Sequence, residues 1–262
     1  MAADWIDTHA HLDDPAFAED LSQVLQRAKA AGVRCVITIG TTAATSRRAV
    51  ELAGTYAELF AAVGIQPNHV SEAQAGDWDR IMALLRQRKV VALGETGLDR
   101  YWDFSPFAQQ QEYFARHLEE AAKAGLPVVI HCREAFAETV AMLREHFDRH
   151  GPIRGVMHSF TGDWPTAEAC LQMGLHLSFA GMLTYKNAEP LRQVAAKVPW
   201  DRLLVETDSP YLVPVPLRGK VRRNEPAHVP LTGACLASLH DMTPEQLAEI
   251  TTANARRLFG LD

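Results

Sequence analysis

The regular alternation of short apolar runs with longer amphipathic runs is the feature that most constrains the fold of this chain. Eight short runs of β-branched and aliphatic residues have the length of buried strands. These predicted strands are Trp5–His11, Val33–Ile39, Leu59–Gln66, Val90–Glu95, Pro127–Cys132, Ile153–Phe160, Leu175–Phe179 and Arg202–Asp208. Helical periodicity between them predicts helices that include Asp20–Ala31, Trp78–Lys89, Phe107–Ala124, Glu134–Arg149, Pro165–Met173 and Glu189–Val198. Strands that alternate with helices favour a parallel sheet.

The number of strand–helix units favours a closed barrel over an open sheet. Eight such units in 262 residues match the (β/α)8 TIM barrel, which typically needs about 250 residues. We therefore predict an α/β fold in which residues 1–262 form one domain. No Gly-x-Gly-x-x-Gly motif follows the first strand, so the sequence gives no support for dinucleotide binding.

Composition and charge restrict the setting in which the chain works. No apolar run approaches the roughly 18 residues of a membrane span, and the N-terminus has no signal-peptide pattern. The four cysteines are scattered without a Cys-x-x-Cys pair, which is typical of reduced thiols. We expect a cytoplasmic protein, provisionally a monomer, with no membrane partner. Its net charge of −6 means that any nucleic acid must be attracted by local basic groups and metal ions.

Residues of the kinds that bind metals stand near the carboxyl ends of five predicted strands. His9 and His11 lie on one face of the first strand, because alternate side chains of a strand point the same way. Four other strands end close to a histidine or carboxylate, namely Glu95, His131, His158 and Asp208. A buried apolar strand that ends in such a group carries a desolvation cost unless the group is paired or binds a cation. The set predicts a metal centre at the rim where barrel enzymes do their chemistry.

Six ligands exceed the needs of one tetrahedral ion and suit two ions that share a carboxylate. Glu95 is central in strand order and is the predicted bridge. His9, His11 and Asp208 would hold one ion, and the second would be held by His131 and His158. Imidazoles with carboxylates accept several ions, so Mg, Zn, Mn and Ni all remain open.

A proline-rich loop follows the eighth strand and would cover the same rim. Residues 209–230 contain five prolines and show no helical period. Its basic residues Arg218, Lys220 and Arg222 are candidate phosphate contacts, although a solvated basic patch is the alternative. Arg133, directly after a ligand, is a second candidate contact.

Other side chains receive weaker assignments. His69 lies in a loop on the predicted active face and could contact a phosphate. Tyr101, Trp102 and Phe104 follow the fourth strand, where they could stack on bases or simply pack against the rim. The histidines within helical patterns are predicted to be surface groups, namely His117, His146, His150 and His240.

The motifs together resemble the TatD family of deoxyribonucleases. They are Asp7–Leu12 (DTHAHL), Gly94–Asp99 (GETGLD), His131–Arg133 (HCR), His158–Phe160 (HSF), Glu206–Pro210 (ETDSP), Arg218–Lys220 (RGK), Asn224–Pro226 (NEP) and Asn254–Gly260 (NARRLFG). The resemblance covers nearly the whole chain in order. It implies a metal-dependent hydrolase of the amidohydrolase-like barrel superfamily that cleaves DNA, often as a 3′→5′ exonuclease on single strands, with RNA as a further substrate in some members.

The resemblance also implies roles for individual residues. The family's metal-binding positions match His9, His11, Glu95, His131, His158 and Asp208. Asp208 would additionally orient or deprotonate the attacking water. Glu206 and Asp99 are expected to support the ligands, with a salt bridge inside the barrel as the alternative for Glu206. Gln66 stands where many members have histidine; it is a candidate substrate contact that cannot carry positive charge.

Two other functions fit part of the pattern. A small-molecule amide, ester or phosphotriester hydrolase of the same superfamily would use a similar centre, and an aminoacyl-tRNA ester hydrolase would need the same activated water. A non-catalytic protein on the same barrel is disfavoured, because degenerate enzymes usually lose ligands and every motif position is present here.

Overall fold

A computed structural model describes residues 4–261 and contains one sheet of eight parallel strands. The strands pair in chain order: β1 Trp5–Ala10, β2 Val33–Ile39, β3 Leu59–Val63, β4 Val90–Asp99, β5 Val128–Arg133, β6 Gly155–Met157, β7 His176–Phe179 and β8 Leu203–Val205. The predicted (β/α)8 barrel is confirmed.

Within the described residues, nine α-helices surround the strands. They are α1 Leu21–Ala30, α2 Ala43–Thr55, α3 Asp77–Leu84, α4 Phe107–Ala124, α5 Phe136–His150, α6 Trp164–Gln172, α7 Glu189–Ala195, α8 Val229–Leu239 and α9 Pro244–Phe259. None of these helices is both long enough and apolar enough to cross a membrane.

Three helices, α2, α8 and α9, were not among those predicted, although two of them begin at a local signal. Thr42 caps α2 and Thr243 caps α9. In both cases the N-cap hydroxyl accepts a hydrogen bond from the backbone three residues later, and the side chain at that position returns the contact. The Thr-x-x-Gln spacing at residues 243–246 therefore announces α9 in the sequence.

Strands β6 and β8 are shorter than predicted, and each ends within three residues of a member of the predicted metal set. His158 follows β6, and Asp208 stands three residues beyond β8. Ser159 has φ of 44° and Asp208 has φ of 54°, in the left-handed region. A residue in that region does not continue a strand, so Ser159 and Asp208 lie outside the paired segments. The left-handed turn also changes the direction in which the Asp208 side chain points.

The barrel closes between the first strand and the segment that follows the last one. The Asp208 amide donates to the His9 carbonyl at 2.9 Å, and the His11 amide donates to the Ser209 carbonyl at 2.7 Å. The buried carboxyl of Asp7 accepts from the Thr207 amide at 2.9 Å. Closure therefore brings His9 of β1 and His11, one residue beyond its end, beside Asp208.

A small apolar cluster fills the barrel interior. Its members include Ile6, Ile37, Val129 and Leu204, and they contact Leu258 near the end of α9. Side chains from so many strands can meet only inside the barrel. A larger cluster packs the helices against the strands. The two clusters together pack both faces of the strands.

Two of the four histidines predicted on the surface are buried. His146 is 4% exposed and His117 is fully buried. The ring of His117 donates from Nδ1 to the Tyr113 carbonyl at 2.6 Å and accepts at Nε2 from the Ile65 amide at 3.1 Å. It thus ties α4 to the segment after β3. The sequence pattern predicts that residue 117 is helical, but it does not indicate that this face of α4 packs against the segment after β3.

Burial lowers the pKa of His117 to about 4, against an ordinary value of 6.5. Between pH 6.5 and pH 4, His117 is therefore protonated in the unfolded chain but not in the folded chain. The free energy of unfolding falls as the pH falls through that range. Wild type should therefore lose free energy of unfolding between pH 7 and pH 5. We predict that this loss is about 2 kcal/mol smaller in His117→Gln, because glutamine does not titrate. The glutamine amide oxygen can still accept from the Ile65 amide.

Urea unfolding of wild type and variant at the two pH values measures this difference. His150→Gln, which removes an exposed histidine at the C-terminal end of α5, is the control and should keep the wild-type pH dependence. Equal pH dependence in wild type and His117→Gln would show that His117 is not the group responsible.

Candidate metal centre

The carboxyl ends of the strands surround a cavity of about 820 Å³. Among its lining residues are five of the six predicted ligands: His11, Glu95, His131, His158 and Asp208. His9 is fully buried directly beneath them. The structure thus brings all six predicted ligands together at one end of the barrel.

Glu95 lies at the centre of this group, and its two carboxylate oxygens face different histidines. Oε2 lies 3.6 Å from Nε2 of His9 and 3.8 Å from Nε2 of His11. Oε1 lies 3.0 Å from Nδ1 of His131 and 3.3 Å from Nε2 of His158. The carboxylate therefore separates two groups of donor atoms and belongs to both.

Each group has the spacing of ligands around a single ion. In the first, the Nε2 atoms of His9 and His11 are 3.2 Å apart, and Asp208 Oδ1 is 3.4 Å from His11. In the second, His131 Nδ1 and His158 Nε2 are 3.3 Å apart. Ligands 2.0–2.1 Å from a tetrahedral ion are themselves about 3.3 Å apart. The residues of each group therefore have the spacing and the donor chemistry to bind a divalent cation.

Three of the four imidazoles are oriented by a hydrogen bond from the ring nitrogen that faces away from the centre. His11 Nδ1 faces the Ile39 carbonyl at 3.3 Å, and His131 Nε2 faces Asp99 Oδ2 at 2.9 Å. His158 Nδ1 faces Glu206 Oε1 at 3.3 Å. Donation to these acceptors leaves a lone pair on the inward nitrogen, which is the tautomer that binds a metal.

Glu206 and Asp99 each serve more than the histidine they face. Glu206 Oε1 also accepts from the Ser159 amide at 2.7 Å, so it stabilises the left-handed turn after His158. Asp99 Oδ2 also accepts from the side-chain amide of Asn68 at 3.0 Å. Both expected supporting residues thus contact a predicted ligand, and the contact of Glu206 with His158 is also a salt bridge inside the barrel when the imidazole is protonated.

The electrostatics of the site favour bound cations. Burial alone would raise the pKa of Glu95, but His158 and the other facing imidazoles hold it well below the ordinary value. Burial alone would lower the pKa of His158, but Glu95 and Glu206 raise it well above its ordinary value. A potential that holds protons on imidazoles also attracts metal ions, which compete with those protons for the same nitrogens.

The glycines of the GETGLD run allow Glu95 to reach its position. Gly94 and Gly97 have φ of 135° and 134°, a backbone conformation that is rare for any residue with a side chain. A Cβ on Gly97 would stand 2.0 Å from the His131 carbonyl oxygen. The register of β4 against β5 also shifts between Leu93 and Thr96. The backbone of β4 is thus irregular on both sides of Glu95.

Three of the predicted substrate contacts line the cavity: Arg133, Gln66 and His69. The guanidinium of Arg133 stacks on the Tyr101 ring, with its carbon 3.7 Å from the ring centre. Gln66 uses its side-chain oxygen to accept from the Asn68 amide at 2.8 Å, and His69 faces Glu72 at 3.2 Å.

The other three, Arg218, Lys220 and Arg222, are exposed on the loop after β8 and are not among the described residues that line the cavity. Arg218 stacks on Tyr185 at 3.9 Å. A neighbouring cation, Arg223, is instead paired with Asp20 and Glu225. The basic cluster therefore divides into exposed cations and a structural ion pair.

Sequence reasoning missed two asparagines that hold the site together. Asn68 donates to Asp99, as described above. Asn224 is fully buried and donates from its side chain to the Thr207 carbonyl at 2.9 Å, next to Asp208. The NEP motif contains Asn224 and was visible, but nothing local shows that its partner lies in the ETDSP motif.

Comparison with known proteins agrees with this geometry. Residues 6–260 match the family model described as TatD related DNase. The chain is 41% identical over 256 residues to the metal-dependent hydrolase YabD of Bacillus subtilis, covering 98% of this chain and 99% of that protein. It is 37% identical over 259 residues to the 3′-5′ ssDNA/RNA exonuclease TatD of Citrobacter koseri, with 97% and 98% coverage.

A solved structure has the same fold throughout. The crystal structure of YJJV, a TatD homologue from Escherichia coli K12, superimposes with a TM-score of 0.92 at 33% identity, and all of both chains is covered. The match of fold, chain length and motif order leaves one assignment. This chain belongs to the TatD family of metal-dependent hydrolases.

Proposed function

We propose that this protein hydrolyses phosphodiester bonds in nucleic acid, removing nucleotides from single-stranded DNA in the 3′→5′ direction and also accepting RNA. The observation that carries the proposal is the division of the Glu95 carboxylate between two groups of donors. Paired ions in such an arrangement suit displacement at phosphorus, because they neutralise charge on both the attacking and the leaving oxygen. The relative named as a 3′-5′ ssDNA/RNA exonuclease supports this substrate class.

The six ligands would hold two divalent ions with Glu95 between them. His9, His11 and Asp208 would bind one ion, and His131 and His158 the other. Mg, Zn, Mn and Ni all suit this donor set. When bound, such ions act as Lewis acids on the phosphoryl oxygens and make water acidic enough to lose a proton near neutral pH.

Asp208 is the residue proposed to orient the attacking water and accept its proton. Its side chain is 15% exposed and lines the cavity, so it can reach a reactant that His9, beneath it, cannot. Burial raises the pKa of Asp208, but the His11 contact and the nearby histidine charges leave it lower than its ordinary value. The group is therefore ionised at neutral pH and ready to accept a hydrogen bond from water.

The remaining site residues would hold the substrate or the ligands. Arg133 would contact a phosphate from the cavity wall, with Gln66 and His69, which also line the cavity, as further contacts. The exposed Arg218, Lys220 and Arg222 would attract the strand from outside the cavity. Such local attraction is required because the whole protein carries a net charge of −6. The free thiols agree with the proposed cytoplasmic location, and we propose a monomer.

The first prediction from the proposed function concerns Glu95, the proposed bridge between the two donor groups. Glu95→Gln keeps the shape of the side chain but removes its charge, so both donor groups lose an anionic ligand. We expect the purified variant to lose most of its bound divalent metal and at least about a hundredfold of its hydrolytic rate. Elemental analysis after desalting measures the metal. Glu168→Gln, a change on the helix ring away from the cavity, is the matched control; undiminished metal in Glu95→Gln would remove Glu95 from the centre.

The second prediction concerns the imidazole supports. Asp99→Asn and Glu206→Gln weaken the acceptors of His131 and His158 without removing a ligand. Such changes typically lower metal affinity by 10–100-fold, and we expect a similar drop here. Competition with a chromophoric chelator measures the affinity of each variant. Wild-type affinity in both variants would mean that these carboxylates do not hold the ligands.

The third prediction tests the reaction. End-labelled oligonucleotides incubated with a panel of divalent ions should be shortened from the 3′ end, and chelator should stop the reaction. Asp208→Asn should reduce the rate at least about a hundredfold, whereas Asp201→Asn, which changes an exposed carboxylate at the opposite end of the barrel, should not. Cleavage of model amides, lactones or phosphotriesters but of no oligonucleotide would instead favour a small-molecule hydrolase.

A further inference from the structure

Three large aromatic side chains are exposed together at the edge of the cavity, on the loop between β4 and α4. The exposed fractions are 49% for Tyr101, 42% for Trp102 and 59% for Phe104. We refer to these three residues as the aromatic ledge. Water-exposed aromatic surface of this density is unfavourable and usually marks a binding site. The ledge does not pack into the rim, which was the alternative that the sequence left open.

Two rings of the ledge are stacked on each other, and the third contacts the stack edge to face. Trp102 and Phe104 are nearly parallel, 9° apart, with ring centres separated by 5.1 Å. Tyr101 contacts Trp102 edge to face at 4.7 Å. Trp102 and Phe104 also line the cavity that contains Glu95 and His131. A planar ligand could therefore extend the stack while remaining connected to the metal centre.

The backbone of the ledge is held firmly although its side chains are exposed. Asp99 Oδ1 accepts from the amides of Tyr101 and Trp102 at 2.8 and 3.0 Å. Ser71 Oγ donates to the Phe104 carbonyl at 2.9 Å. The backbone that carries the rings is thus already ordered, so little backbone entropy remains to be lost when a ligand binds.

A cation is fixed beside the ledge. The Arg133 guanidinium stacks on Tyr101, as described above, and its carbon lies 5.8 Å from the Trp102 ring centre. Arg133 itself also lines the cavity. A nucleotide has a flat base joined through its sugar to an anionic phosphate, so it matches an aromatic stack with an adjacent cation.

We propose that the aromatic ledge is a nucleobase-binding subsite, on which an unpaired base of the substrate strand stacks while Arg133 contacts a neighbouring phosphate. This inference rests on the proposed function and specifies how the substrate is held. Stacking needs no particular base, so the subsite selects single strands without selecting sequence. A base paired within a duplex has its faces covered by its neighbours and cannot use the ledge.

The ledge is also connected directly to the metal centre. The carboxylate of Asp99 accepts the ledge amides on Oδ1 and the His131 ring on Oδ2. One side chain therefore fixes the distance between the stacking surface and a predicted metal ligand. A base held on the ledge would place its strand at a constant position relative to the reacting atoms, which favours release of one nucleotide at a time.

The experiment compares oligonucleotides that carry bases with oligonucleotides of the same length that carry abasic residues at their 3′ ends. For the base-bearing strand, the double variant W102A/F104A should raise KM about tenfold or more and leave kcat within about twofold. For the abasic strand, wild type and double variant should have the same KM. W102F, which keeps a stacking ring, should restore most of the wild-type KM. Trp200→Ala removes a side chain that is 59% exposed at the opposite end of the barrel, and it is the matched control.

The outcomes separate the two proposals. An unchanged ratio of base-bearing to abasic KM in the double variant, with cleavage retained, overturns the subsite but leaves the nuclease intact. If wild type cleaves no oligonucleotide with any divalent ion, the nuclease proposal fails. Fluorescence anisotropy of a labelled single strand then decides the subsite: weaker binding by the double variant than by Trp200→Ala supports it, and equal binding or no binding overturns it.

Discussion

The position of the Glu95 carboxylate between two groups of histidines is the constraint on which the rest of the structure depends. A buried carboxylate is costly unless its charge is balanced, and here it is surrounded by four imidazoles, two from β1 and β5 and two from the residues that directly follow β1 and β6. Glycines on both sides of Glu95 and the register shift of β4 allow it to reach this position. The backbone of β4 departs from regular strand geometry where this side chain is placed.

Support for the centre comes from carboxylates that are themselves held by the surrounding loops. Asp99 and Glu206 each accept from one histidine of the second group, and each also accepts from a backbone amide of a nearby turn. Loop conformation and the orientation of the predicted ligands are therefore fixed by the same two side chains. This arrangement explains why irregular segments next to the site are well connected, although they contain no regular hydrogen-bond ladder.

The barrel and the gathering of the ligands were predictable because both follow from local patterns. Strand and helix periodicity gives the alternation, and the parity of a strand places His9 and His11 on one face. What could not be predicted depends on contacts between distant segments. His117 matches a helix surface, yet it is buried because the segment after β3 folds over it. Arg222 and Arg223 are adjacent in the sequence, but only Arg223 meets the Asp20 and Glu225 carboxylates.

The seam of the barrel has a consequence for how the centre is assembled. Hydrogen bonds across this seam join residues as far apart as Asp7 and Thr207, which are separated by 200 positions. His9 and His11 emerge first during synthesis, whereas Asp208 emerges only when most of the chain has been made. The first donor group is thus incomplete in every nascent chain that lacks Asp208. All of its donors come together only when the barrel has closed. Metal binding would then stabilise completed molecules in preference to partly synthesised ones.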